Sequence, residues 1–176
     1  GMNDADVAAI AAWLRSLPPV ANPVPEHELP WYLRSRWLMP GWNLLFFDPQ
    51  PFKADRTRDA DWNRGAYLVR HLGHCGECHT PRNFLGARDD ALELAGNPDG
   101  PDGEKIPNIR QDRKSGIGRW TIEDMLLFLE LGMLPDGDFA GSSMSAVIDD
   151  NTSQLTADDR RAIAVYLQSL APLDSP

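Results

Sequence analysis

The sequence predicts an all-α fold in which helices close around something other than an ordinary side-chain core. Three observations carry this reading. Apolar residues recur at helical spacing in four separated stretches of the 176-residue chain, most of them opened by a capping or acidic residue. The second and third of these stretches are separated by a long irregular segment, rich in glycine, proline and aspartate, that runs to Lys114. An ordinary small domain does not tolerate so much unstructured chain, whereas a segment wrapped around a large cofactor can. Finally, Cys75-Gly76-Glu77-Cys78-His79 gathers the only 2 cysteines of the chain beside a histidine.

The first helix is expected over residues 3–17. Asn3 or Asp4 caps it, Asp6 sits in its first turn, Val7, Ile10, Leu14 and Leu17 share a face, and Pro18-Pro19 ends it. Residues 20–58 read as an extended connection carrying Pro23, Pro25, Pro30, Pro40, Pro49 and Pro51 among Trp31, Tyr32, Trp37, Trp42, Phe46, Phe47 and Phe52. A free linker would be polar. These aromatics either clamp the segment onto the globular body or form a docking surface for another subunit, and both readings stay open.

A second helix is expected over 59–72, with Asp59, Ala60 and Asp61 at its start and Gly65, Tyr67, Leu68 and Leu72 along it. Thr121 caps a third, running to Leu131, with Asp124 completing a near capping box, Ile122, Met125, Leu126 and Leu129 as its buried stripe, and Gly132 at its end. The stretch from Leu134 to Thr152 reads as a loop containing Met144. The last helix runs from about Thr156 to Leu170, with Ile163, Tyr166, Leu167 and Leu170 inward and Pro172 beyond it.

The first and last helices align without a gap. Asp6, Ala9, Ile10, Ala11, Leu14, Ser16, Leu17 and Pro19 match Asp159, Ala162, Ile163, Ala164, Leu167, Ser169, Leu170 and Pro172, and Trp13 stands opposite Tyr166. Composition alone explains two amphipathic helices, but not shared caps, a shared aromatic position and a shared stop. The expected organisation is therefore residues 1–19 as the closing helix of a preceding unit, 20–58 as an interdomain segment and 59–176 as a complete domain. Gly1-Met2-Asn3-Asp4 reads as a tag-derived glycine ahead of a chosen start point.

The formal net charge of −9 and pI near 4.8 argue against nucleic acid or an anionic membrane as partner, and fit a protein partner with basic patches. No apolar run reaches the roughly 18 residues of a bilayer span, and no secretory leader is visible.

C-x-x-C-H is the attachment signature of haem c: two thiols add to the haem's vinyl groups while the histidine ligates the iron. A thioredoxin-like pair would need a strand before the motif and parallel strands after it, and neither is visible. A zinc site would need more soft ligands, and His71 and His74 stand near enough to complete a Cys/Cys/His cluster, so zinc stays open. With His79 on one face of a haem, the other face needs a ligand from a flexible segment. Met125 falls on a buried stripe, Met133 follows a helix-ending glycine, and Met144 lies in a small-residue loop before the last helix. Met144 is the favoured ligand. A His/Met-ligated haem has no open position and exchanges electrons, whereas an open sixth site would make the chain a haem peroxidase or gas sensor.

The residues from Trp62 to Val69, from Gly73 to Asn83, Ile106-Pro107-Asn108-Ile109, Gly116 to Thr121, Met144 and Leu155 to Arg160 together resemble class I c-type cytochromes. They are closest to the C-terminal haem module in cytochrome c subunits of bacterial membrane-bound alcohol, gluconate and sorbitol dehydrogenases. Met39-Pro40-Gly41-Trp42-Asn43 is similar to the interdomain segment of those subunits. The resemblance implies a class I cytochrome c fold around one covalent haem c held by Cys75, Cys78, His79, Pro107, Asn108, Trp120 and Met144. Pro107 would offer its carbonyl to His79, and Trp120 would lie near a propionate. Gly65 and Tyr67 would pack on Tyr166. It also implies a periplasmic location, a dehydrogenase subunit as electron donor, quinone or an oxidase as acceptor, and a further cytochrome domain before residue 1. Two departures stand out: the family carries two or three haem motifs where this chain has one, and Arg110 replaces a threonine and is expected to meet a propionate instead.

Overall fold

The computed structural model describes residues 1–28, 34–100 and 103–176. Among the described residues the chain is helical, and its only strand-like pairings are isolated antiparallel bridges at Arg82–Arg88, Asn97–Ile106 and Met133–Phe139. It divides into two compact units, Gly1–Phe52 and Lys53–Pro176.

The first unit contains α1 (Asp4–Ser16) and α2 (Met39–Phe46). Asn3 caps α1 by accepting from the Asp6 N–H, and Leu17 leaves the helix in extended conformation before Pro18. None of its residues is buried. α2 corrects the expectation of an extended segment. Pro40 sits in its first turn, where a missing N–H costs nothing, so a proline that reads as a breaker starts the helix instead. Trp42 stacks on Phe46 at 5.3 Å between ring centroids. Trp37, Phe46 and Phe47 are exposed, so these three are not clamped into a core. Trp31 and Tyr32 lie outside the described residues.

The second unit begins before the predicted boundary at residue 59, because residues 53–58 are tied to it. The Asp55 N–H donates to Asn63 Oδ1 at 2.7 Å and Asn63 Nδ2 donates back to the Asp55 carbonyl at 2.9 Å. Here α3 (Ala60–Tyr67) crosses α7 (Ala157–Ser169). A Cβ on Gly65 would collide with the Ala162 carbonyl and the Tyr166 Cβ, so only glycine permits this crossing. Trp62 meets the Tyr166 ring edge-on at 5.2 Å and donates from Nε1 to Ser169 Oγ at 2.6 Å. Arg64 forks onto Asp159 at 2.7 and 2.8 Å. Ala66, Leu68, Val69, Ala162, Ile163, Ala164, Tyr166 and Leu167 are buried. α5 (Ile122–Leu131) packs on α7 through buried Met125 and Leu129, with the predicted Thr121–Asp124 capping box and left-handed Gly132 in place.

Two predicted elements differ. The helix expected over 59–72 keeps α geometry only to Tyr67, then widens into a π turn over Leu68–Leu72. There the Gly73 N–H reaches back to the Leu68 carbonyl at 2.7 Å and the Cys75 N–H to Val69 at 3.0 Å. Such widened turns gather at functional sites, and this one delivers the chain into the cysteine motif. The stretch 134–152, expected as a loop, contains α6 (Ser142–Asp150), which carries Met144 in its first turn and buries Ile148. Its serines and glycine obscure the helix, because they are weak helix formers whose start is stabilised from elsewhere in the chain.

Candidate cofactor site

The site is built on α4 (Gly76–His79), the single turn that contains most of the motif. His74, at φ 38°, turns the chain sharply between the π turn and Cys75. The His79 N–H then closes on the Cys75 carbonyl at 3.0 Å, bringing both cysteines and the histidine into one turn. Cys75 and Cys78 are unpaired thiols. Desolvation pushes the Cys75 thiol up to about 11. That is the reverse of a dithiol redox centre, whose attacking cysteine is held as thiolate by a lowered pKa.

His79 is buried, and its Nδ1 lies 2.7 Å from the Pro107 carbonyl. A carbonyl can only accept, so Nδ1 carries the proton and Nε2 keeps its lone pair. Burial lowers the histidine's pKa, partly opposed by the bond to Pro107, which favours the neutral ring. An imidazole with one nitrogen fixed by a carbonyl and the other basic is the form that ligates a metal.

Residues that the motif does not reveal hold this pair together. Gly96, at φ 94°, donates its N–H to the His79 carbonyl at 2.9 Å, and a Cβ there would press on Ile106, Pro107 and Asn108 backbone atoms at 3.0 to 3.2 Å. The buried Thr80 hydroxyl accepts from the Leu94 N–H at 3.0 Å. The available signal for Gly96 was its place in a glycine- and proline-rich stretch, which marks a turn without saying what packs against it.

The other expected site residues are placed as follows. The Asn108 side chain is buried and fully engaged: Nδ2 donates to Ser115 Oγ at 3.1 Å and to the Leu173 carbonyl at 2.7 Å, while Oδ1 accepts from the Arg110 N–H at 2.8 Å. It braces the chain beside Pro107. Trp120 is half-buried and meets Phe128 edge-on at 5.3 Å. Met144 is half-buried on α6, a helix rather than the expected loop. Arg110 Nε donates to the Ala171 carbonyl at 2.9 Å and Nη1 to the Glu93 carbonyl at 3.2 Å, which fastens the C-terminal tail. Tyr67 stacks on His71 at 5.7 Å, while Trp62 and Gly65 meet Tyr166. Among the described residues no three His, Cys, Asp or Glu side chains gather to hold a metal ion between them, so His71 and His74 do not complete a zinc cluster with the cysteines.

Among known proteins, a diheme cytochrome c-type protein of Cereibacter sphaeroides is 42% identical over 170 residues, covering 96% of this chain. This chain is homologous to cytochrome c subunits. The fructose dehydrogenase cytochrome subunit of Gluconobacter japonicus is 37% identical over 171 residues, again 96% of this chain. The cytochrome c subunit of a quinone alcohol dehydrogenase from Gluconacetobacter polyoxogenes is 36% identical over 180 residues, 98% of this chain. No family model matches. The chain spans 55%, 35% and 38% of the lengths of these three relatives. The all-α cytochrome c fold expected from the sequence is the fold of this chain. The cysteines and histidine also fit the covalent haem of a cytochrome c chemically, since two free cysteines and an imidazole held through Nδ1 stand on one turn.

Proposed function

We propose that residues 53–176 form an electron-transfer module around one haem c, and the single observation that carries this is the His79 Nδ1–Pro107 carbonyl bond of 2.7 Å inside a two-cysteine turn. When bound, the haem supplies a one-electron iron couple. Cys75 and Cys78 would anchor it as thioethers, each sulfur adding to one vinyl carbon and its proton to the other, with no oxidant needed. His79 would ligate through Nε2, its ring held in orientation by Pro107, which Asn108 and Gly96 brace. Met144 would be the second iron ligand, and Trp120 would donate to a propionate.

The wider setting belongs to the same reading. A dehydrogenase subunit delivers electrons, and quinone or an oxidase removes them, in the periplasm. The acidic surface suits a basic partner. Among the described residues no helix is long and apolar enough to cross a membrane. α1 is the closing helix of a preceding cytochrome unit, supported by its likeness to α7 and its lack of any buried residue.

A pyridine haemochrome spectrum of protein matured with the haem-attachment machinery tests the first claim, and absence of covalent haem overturns it. Replacing Met144 by Ala tests the second. The parent protein, once reduced, resists carbon monoxide and Met144→Ala binds it rapidly. Fast binding by both identifies an open-site haem protein instead.

A further inference from the structure

We propose that Glu104 positions the Met144-bearing turn, its carboxylate capping α6 from the same short segment that holds His79. This rests on the reading of Met144 as iron ligand. By itself α6 starts poorly. Its N-cap residue, Gly141, has no side chain to accept a hydrogen bond. Ser142 follows at φ 57°, a left-handed conformation that a serine adopts only at a cost. The first N–H groups of a helix need acceptors, and an anion at that end also complements the helix dipole.

Glu104 supplies the anion across the chain. Its Oε1 accepts from the Ser142 hydroxyl and its Oε2 from the Ser143 hydroxyl at 3.1 Å. The two oxygens therefore straddle the start of the helix, with Met144 the very next residue. Glu104 is itself anchored. Its carbonyl accepts from the Gly100 N–H at 2.9 Å, and Asn97 and Ile106 exchange N–H···O bonds at 2.9 and 2.8 Å around it. Pro107, a few residues on, accepts from His79. One stretch, Glu104 to Pro107, thus ties down the residues proposed for both faces of the iron. Displacement of a thioether by carbon monoxide requires the methionine to swing away, and Glu104 restrains the backbone that must move.

The test uses the haem-loaded protein with Glu104→Ala, Glu104→Gln and Met144→Ala. Two readouts are taken: the carbon monoxide binding rate of the reduced protein, and hydrogen exchange of the α6 amides from Met144 to Ile148. Loss of one helix cap corresponds to about a five- to tenfold shift in such an equilibrium. Glu104→Ala is expected to speed both processes by about that factor, and Glu104→Gln, which keeps one acceptor oxygen and loses the charge, by less. If Met144→Ala binds carbon monoxide fast while Glu104→Ala leaves both readouts unchanged, the positioning role is overturned and the ligand assignment stands. If Met144→Ala itself changes nothing, the ligand assignment fails and the positioning role falls with it. Should Glu104→Ala fail to load haem, the Gln variant and the double change Ser142→Ala/Ser143→Ala decide by the same two rates.

Discussion

α1 and α7 are the same helix in two circumstances. Each is 13 residues long, each is capped by a side chain that accepts from the N–H three positions on (Asn3 from Asp6, Thr156 from Asp159), and each ends on a leucine in extended conformation. Even the closing serines agree, with Ser16 Oγ donating to Trp13 and Ser169 Oγ donating to Tyr166, both at 2.7 Å. Yet Ile163 is 6% exposed and Tyr166 0%, while their counterparts Ile10 and Trp13 are 41% and 62% exposed. Asp159 is clamped by Arg64, whereas Asp6 bonds back to Asn3 within its own helix. Local sequence therefore makes the helix, and a partner of the right shape gives it a tertiary role. Gly65 is that partner's signature: without a Cβ it lets two backbones touch.

The contrast can be broken by experiment. Truncating Ile163 to Ala should lower unfolding free energy by about 2–4 kcal/mol in urea titration of the haem-loaded protein. The matching Ile10→Ala should change it by less than about 0.5 kcal/mol, as at an exposed site; equal losses would mean that α1 is packed after all. Next in size comes Gly65→Ala. The new Cβ meets the Ala162 carbonyl and forces α3 from α7, so a loss of about 1–3 kcal/mol is expected even though alanine is the better helix former.

Cap removal sharpens the comparison further. Thr156→Ala should cost about 1 kcal/mol and lower the unfolding midpoint of the second unit. Asn3→Ala should reduce helix content by circular dichroism and leave that midpoint where it was. The smallest effect concerns pH. Arg64 beside Asp159, first by hydrogen bonding and then by its charge, holds the carboxyl below the usual carboxylate range. A depressed acid stabilises the fold above its ordinary pKa near 4 and loses that contribution as pH falls through the lower, folded-state value. The pair is partly exposed, so about 0.5 kcal/mol is at stake. Asp159→Asn should lower stability at pH 6 and flatten its decline between about pH 5 and 3; an unchanged acid limb would leave the pair without energetic weight.

Much of the chain was legible because its signals are short-range. The capping box at Thr121, the glycine at 132 and the apolar stripe ending in Leu129 each act within a turn or two, so sequence spacing reports them directly. The cysteine motif is local in the same sense. What escaped prediction is long-range or depends on rescue from afar. α2 was hidden by a proline that suits a first turn, and α6 by a glycine-serine start capped by Glu104. The Arg110 bonds to the Ala171 and Glu93 carbonyls, which lie far from it in the chain, left no mark in the sequence either.

By itself, then, the sequence determined the helices with their own caps, the two thiols and imidazole on one turn, and the likeness of α1 and α7, since each depends on neighbours within a few residues. The tertiary structure alone decided which of the two helices is buried, how Gly96 packs against the Pro107 backbone, and how Glu104 meets Ser142 and Ser143. Those outcomes depend on groups tens of residues apart meeting within hydrogen-bond or van der Waals distance, and spacing along a chain carries no record of such meetings.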